Sequence, residues 1–151
     1  MAFYYPPPGF HFKVEFLDIQ AGSNDILFQA VSGLEVSLDT ESIKEGGENR
    51  FEHVIPTRSK YNDLVLKRGV LQDSGVIKWC RKAIEKFEFQ PVTVLVHLMN
   101  DKHEPLIEWR LFHVWPKKWA VAELNAEQSS VLVETIELNY NFFRVNHSEP
   151  G

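Results

Sequence analysis

Cysteine is nearly missing from this chain. A single residue, Cys80, among 151 excludes an internal disulfide framework and suits a reducing compartment. Positive charge is also short, with 16 Lys and Arg against 21 Asp and Glu. A protein that grips nucleic acid by neutralising phosphates needs the opposite balance, at least locally. The basic clusters are only pairs, Lys67-Arg68, Arg81-Lys82 and Lys117-Lys118, and each reads as solvated surface. Long apolar runs are lacking too. The longest, Val92 to Met99, is interrupted by Thr93 and His97 and is far too short to span a bilayer, so no stable membrane insertion of the monomer is expected. The opening Met-Ala-Phe-Tyr-Tyr-Pro-Pro-Pro-Gly carries neither the basic nor the apolar region of a signal peptide, which leads us to expect synthesis and folding in the cytosol. Beyond Pro6-Pro7-Pro8 there is no low-complexity segment, and no repeat or linker. What remains, 44% hydrophobic and 25% charged, is ordinary for a globular protein and long enough for one continuous core.

Period-two alternation dominates that remainder. Phe12, Val14 and Phe16 alternate with His11, Lys13 and Glu15; Ile26 to Val31 is a short second strand. From Leu34 the pattern is clean, with Leu34, Val36 and Leu38 on one side and Glu35, Ser37, Asp39 and Glu41 on the other. The stretch Lys44-Glu45-Gly46-Gly47-Glu48-Asn49-Arg50 then interrupts it, and Phe51 to Ile55 resumes it. This predicts a long hairpin with one wet face and a glycine-bearing tip. Tyr61 to Val70 is strand-like. The period then changes: Val76, Ile77, Cys80, Ala83, Ile84 and Phe87 are spaced for one buried face of a helix over about 74–87. Asp73 or Ser74 stands at its N-cap, and Lys86 suits its negative end. Pro91 to Met99 and Leu106 to Trp115 form a second hairpin. A connector at Pro116-Lys117-Lys118-Trp119 leads to a short strand, Ala120 to Leu124, and a last strand runs from Val131 to Phe143. The fold class expected is α+β, mainly antiparallel β: a β-sandwich or barrel with long hairpins and one packed helix. One domain, 1–151, is expected, with an N-terminal extension over 1–10 and a C-terminal tail over 144–151.

No residue constellation announces chemistry. The histidines (His11, His53, His97, His103, His113 and His147) contain no H-x-x-H or H-E-x-x-H pair, so no metal is expected. His97 and His113 fall on facing strands of the second hairpin and could approach each other; paired polar positions on a sheet face are the plainer reading. Cys80 sits on the apolar helix face, which favours packing over nucleophilic duty. No G-x-S-x-G elbow positions a serine, and Gly46-Gly47 is not followed by a lysine-bearing helix. Glu35, Asp39 and Glu41 form an exposed row with nothing to raise one carboxyl above the others. No catalytic residue, metal or cofactor is therefore assigned. The four tryptophans (Trp79, Trp109, Trp115 and Trp119) could stack on a ligand, as in a small glycan- or ligand-binding β domain, or could serve core and subunit contacts.

The order of the segments resembles a known family. Phe28-Gln29-Ala30-Val31-Ser32-Gly33-Leu34 looks like its F-x-x-V-S-G-L run, and Glu45-Gly46-Gly47-Glu48-Asn49 is similar to its acidic hairpin loop. Lys60-Tyr61-x-x-Leu64-x-Leu66-Lys67-Arg68-Gly69 resembles its K-Y-x-x-L-x-L-K-R-G strand. The helix, the tryptophan-proline run Trp109 to Trp119 and the ending Val133 to Leu138 follow in the same order. Together, over about residues 10–145, they resemble the contractile phage tail-tube proteins, including the inner-tube proteins of extracellular contractile injection systems. The haemolysin-coregulated protein of type VI secretion is more distant. The resemblance implies a structural subunit, not an enzyme, made in the bacterial cytoplasm and assembled into a phage tail or extracellular particle. Six subunits would form a ring, and rings would stack into a hollow tube that sheath contraction drives through a target membrane. It implies partners: other copies, the sheath protein, baseplate and spike components, a tube terminator, and cargo or DNA passing through the lumen without tight binding. It also implies that Lys44, Glu45, Gly46, Gly47, Glu48, Asn49 and Arg50 reach the adjacent ring, and that the wet faces of both hairpins, with Glu35, Asp39 and Glu41, line the lumen. The aromatic-proline extension, Phe3 to Pro8, leaves open a tube-initiating adaptor ring at the baseplate.

Overall fold

The computed structural model describes residues 11–19, 27–43, 53–69, 74–124 and 131–147. In chain order these form β1 (His11–Phe16), β2 (Leu27–Phe28), β3 (Ala30–Ser32), β4 (Val36–Ile43), β5 (His53–Tyr61) and β6 (Leu64–Gly69). Helix α1 (Gly75–Lys86) follows, then β7 (Val92–Met99), β8 (Pro105–Leu124), β9 (Val131–Asn139) and β10 (Phe142–His147). All the strand pairs are antiparallel, so the chain adopts the mainly antiparallel α+β class that its alternation implies.

The main sheet runs β2-β1-β7-β8-β9-β6-β3, with β10 pairing on β8. Among the described residues its ladder does not close into a barrel. Its two ends are nevertheless neighbours in sequence: Leu27–Phe28 pairs with β1 and Ala30–Ser32 with β6, while the Gln29 N–H donates to the Lys67 carbonyl at 2.9 Å. One short segment therefore serves both edges, and the sheet wraps around its core. Alternation places Val14, Phe16, Leu64, Leu66, Val94, Val96, Ile136 and Leu138 inside that wrap, and α1 adds Val76, Trp79 and Cys80.

Strand β8 is where local reading and structure part. The sequence suggests a break at Pro116, yet one twenty-residue strand runs through it. Its first part pairs with β7 and β10, and its second with β9. Two bulges make this possible. Near His113 the register against β7 slips, and His113 takes φ 58°; near Lys117 it slips against β9. A bulge bends a strand and tolerates a proline that lacks an N–H for the ladder. The last strand, conversely, divides into β9 and β10 around Tyr140 and Asn141, whose N–H donates to the Phe112 carbonyl at 3.0 Å. Residues 144–147 continue β10. The stretch from Tyr61 also divides, at Asn62-Asp63, between β5 and β6.

The helix forms where the spacing places it. Ser74 caps it by accepting from the Ile77 N–H at 3.1 Å, and Lys86 stands in its last turn. Its buried face is narrower than the spacing suggests. Val76, Trp79, Cys80 and Ala83 are buried, but Ile84 is half-exposed and Phe87 is 81% exposed. Phe87 is the C-cap at φ 56°, so the helix ends there and the ring swings away from the sheet.

Gly33 shows why the V-S-G-L run needs a glycine. It takes φ +91°, and a Cβ there would collide with the Asp63 carbonyl oxygen.

Candidate assembly surfaces

The hairpin β4–β5 forms a separate two-stranded sheet. One wet face was expected, but both faces are open: Val36, Leu38, Ile43, Val54 and Ile55 are all exposed. The register shift at Asp39/Thr40, with the Thr57 hydroxyl donating to the Asp39 carbonyl at 3.1 Å, moves β5 by one residue. Pairing then sets Val36, Leu38 and Val54 on one side and Ile43 and Ile55 on the other, because directly opposed residues project the same way. An isolated two-stranded hairpin is marginal in water. Large apolar residues exposed on both sides of β4–β5 make it a candidate contact surface.

The carboxylates assigned from sequence lie at this hairpin. Glu35, just before β4, accepts from the Asn62 amide at 3.0 Å. Asp39 stands 3.7 Å from Arg58 across the strands, and Glu41 is exposed. Arg58 and Lys60 are opposed to Asp39 and Ser37, so acids and bases share this side. The loop Lys44, Glu45, Gly46, Gly47, Glu48, Asn49 and Arg50 lies outside the described residues.

A buried polar cluster ties the helix to the sheet. Arg68, read as solvated surface, is buried, and so is Glu134. Arg68 Nε donates to Glu134 Oε2 at 3.0 Å and its Nη2 to the Ser74 hydroxyl at 2.8 Å, while Trp119 Nε1 donates to Glu134 Oε1 at 2.7 Å. The guanidinium also lies 4.7 Å from the centre of the Phe28 ring. A signal was present in the sequence: Glu134 interrupts the apolar row Leu132, Ile136, Leu138, and an acid inside such a row calls for a buried base. Next to this cluster, burial first and then Glu134 push the Cys80 thiol up to about 12, against a smaller lowering by Arg68. A neutral buried thiol is a packing group.

Reactive geometry does not assemble elsewhere among the described residues. His97 pairs in register with Glu108, whereas His113 lines a cleft with Phe89, Pro91 and Trp115, so the two do not meet. The close pair is instead His11 and His103, with ring nitrogens 3.4 Å apart. No three His, Cys, Asp or Glu side chains among the described residues converge as metal ligands. Trp79 is buried edge-on against Phe16, and Trp109 and Trp119 pack on the core. Trp115 borders an open cleft of about 270 Å³.

Comparison with known proteins gives these surfaces a context. The solved structures similar to this chain include the baseplate of the anti-feeding prophage (AFP), 6-fold symmetrised, at 29% identity and TM-score 0.80, covering 97% of this chain and 98% of that one. The sheath-tube complex of an extracellular contractile injection system (PVC) in its extended state shares 23% identity at TM-score 0.75, covering 96% and 93%. Hcp1 from Salmonella typhimurium shares the fold at 11% identity and TM-score 0.57, covering 92% and 87%. No curated protein matches the sequence. The family model of the T4-like virus tail tube protein gp19 matches residues 8–144. The match spans nearly the whole chain, and the chain belongs to that family of structural tube proteins, which are not enzymes.

Proposed function

We propose that this chain is the inner-tube subunit of a contractile apparatus, a phage tail or an extracellular injection particle. Six copies close into a ring, and rings stack into a hollow tube inside a sheath. The carrying observation is the β4–β5 hairpin, which exposes large apolar residues on both faces. Hairpins from neighbouring copies that pair edge to edge would satisfy their open ladders and bury these side chains. Closed rotational symmetry makes the ring, and head-to-tail contact extends it. In this reading the whole chain acts as one unit, and the loop over residues 44–50 reaches the next ring. The hairpin faces bearing Glu35, Asp39 and Glu41 border the lumen, through which cargo or DNA passes without tight binding. Sheath, baseplate, spike and terminator are the other partners, and sheath contraction drives the tube through a target membrane.

Light scattering and electron microscopy of purified protein test this reading. Rings or fibres are expected. A persistent 17.5 kDa monomer across the concentration range overturns it. The similarity to a chain of the AFP baseplate structure supports a second reading, an adaptor ring that starts the tube at the baseplate. Such a protein gives single rings where a tube subunit gives fibres.

A further inference from the structure

An exposed aromatic face lies beyond the C-terminus of α1. Phe87 is 81% exposed and holds φ 56° as the helix cap, a position that glycine usually takes because a Cβ is crowded there. Its ring meets Phe89 edge-on at 4.9 Å, and Phe89 meets Trp115 at 5.8 Å. Phe89, Pro91, His113 and Trp115 line the open cleft of about 270 Å³, and His113 is also left-handed, at φ 58°. Two strained non-glycine residues thus meet at one exposed aromatic face, and such strain collects at functional sites.

The face is also pre-formed. Trp79 Nε1 donates to the Gln90 carbonyl at 2.7 Å, Gln90 Nε2 donates to the Asp18 carbonyl at 3.2 Å, and the Glu88 N–H donates to the Lys82 carbonyl at 3.1 Å. The backbone beneath the rings is pinned, so a partner would not have to order it. The cleft is smaller and more open than small-molecule sites of about 300–1,000 Å³, which suits a short extended segment.

We propose that this cleft receives the aromatic-proline segment Phe3 to Pro8 of a second copy of the chain; the inference rests on the reading that copies assemble. Proline-rich segments dock on aromatic-lined grooves because they are already extended and lose little entropy on binding. Trp115 adds an indole N–H of the kind that pairs with carbonyls of a proline run. Reach excludes the chain's own prolines. The described structure starts at His11, opposite Met99, whereas the cleft is at Pro91 beyond the other end of β7. Eight residues of strand span about 26 Å. Pro6, five residues before His11, reaches at most about 18 Å. The prolines that fill the cleft therefore come from another copy.

Disulfide trapping between full-length variants tests this. Pro7→Cys protein is mixed with Phe89→Cys protein, assembled, oxidised and resolved without reductant, while microscopy records assembly in the same samples. Pro91→Cys serves as a second acceptor in case Phe89→Cys folds poorly, and Val145→Cys on β10 serves as the distant control. A cross-linked dimer at least tenfold more abundant with the cleft acceptors than with the control supports the docking. Assembled samples in which neither cleft acceptor exceeds the control overturn it, leave the cleft to a different protein and leave the tube reading intact. Failure of the unmodified protein to assemble removes the second copy, and overturns both.

Discussion

Arg68 and Glu134 form a pair whose value lies in being complete. Removing one charge from a buried pair leaves the other without compensation, which costs roughly 3–5 kcal/mol. Glu134→Ala should therefore lower stability to urea by about that much, since Arg68 Nε and Trp119 Nε1 both lose the carboxylate that accepts from them. The double change Arg68→Met with Glu134→Leu should recover most of the loss, because apolar replacements of similar size often match a buried pair. Two other buried groups bear on stability at alkaline pH. Burial raises Cys80 from 9.0 to about 12. Tyr140 is raised as well, by burial first and then by Asp63, Tyr61 and Glu35. The folded state holds both protons more tightly than the unfolded chain. Their contribution is complete below about pH 9 and is lost as the pH climbs toward the folded values. Stability should fall above pH 9, with a slope no steeper than about 1.4 kcal/mol per pH unit from Cys80. Urea midpoints across pH 8–11 check this; Tyr140→Phe should flatten the decline. A native thiol that labels readily at pH 8 would refute the packing role of Cys80.

At the scale of the element, α1 is held by one face and one cap. Trp79→Ala should cost about 3–5 kcal/mol, since it empties a buried site against Phe16 and frees the Gln90 carbonyl. Ile84→Ala, at a half-exposed position, should cost less than about 1 kcal/mol. Phe87→Gly should not destabilise the free subunit, because it relieves about 1–2 kcal/mol of left-handed strain in exchange for a mostly solvated ring. Thermal melts of the three variants separate these outcomes. The spacing that reveals this helix also overstates its buried face. Period 3.6 shows which residues point together, but the width covered depends on where the sheet ends. The same reason explains β8. Pro116 is a break signal wherever a strand must pair on both sides, and bulges exist only in relation to a partner strand.

At the scale of the whole molecule, the proposed assembly is tested at the hairpin and its loop. Leu38→Lys with Val54→Lys alters two exposed positions on one side of β4–β5. The melting temperature should change little, while rings and fibres should be lost; fibres of unchanged abundance would refute the hairpin as the subunit contact. Replacing Glu45 and Glu48 by Ala should leave rings intact but weaken their stacking. If exposed charges contribute, stacking should also weaken between about 50 and 500 mM salt; fibre length by microscopy measures both. By itself the sequence determined the strand faces, the helix with its Ser74 cap, the glycine at Gly33 and the family, because each depends on local period, local sterics or motif order. Only the tertiary structure decided that Arg68 is buried, that His113 stands away from His97, and that the apolar rows of β4 and β5 face no core of their own. Alternation establishes that two residues share a side. Whether that side meets a core, a neighbour or water depends on long-range pairing, and no local pattern encodes it.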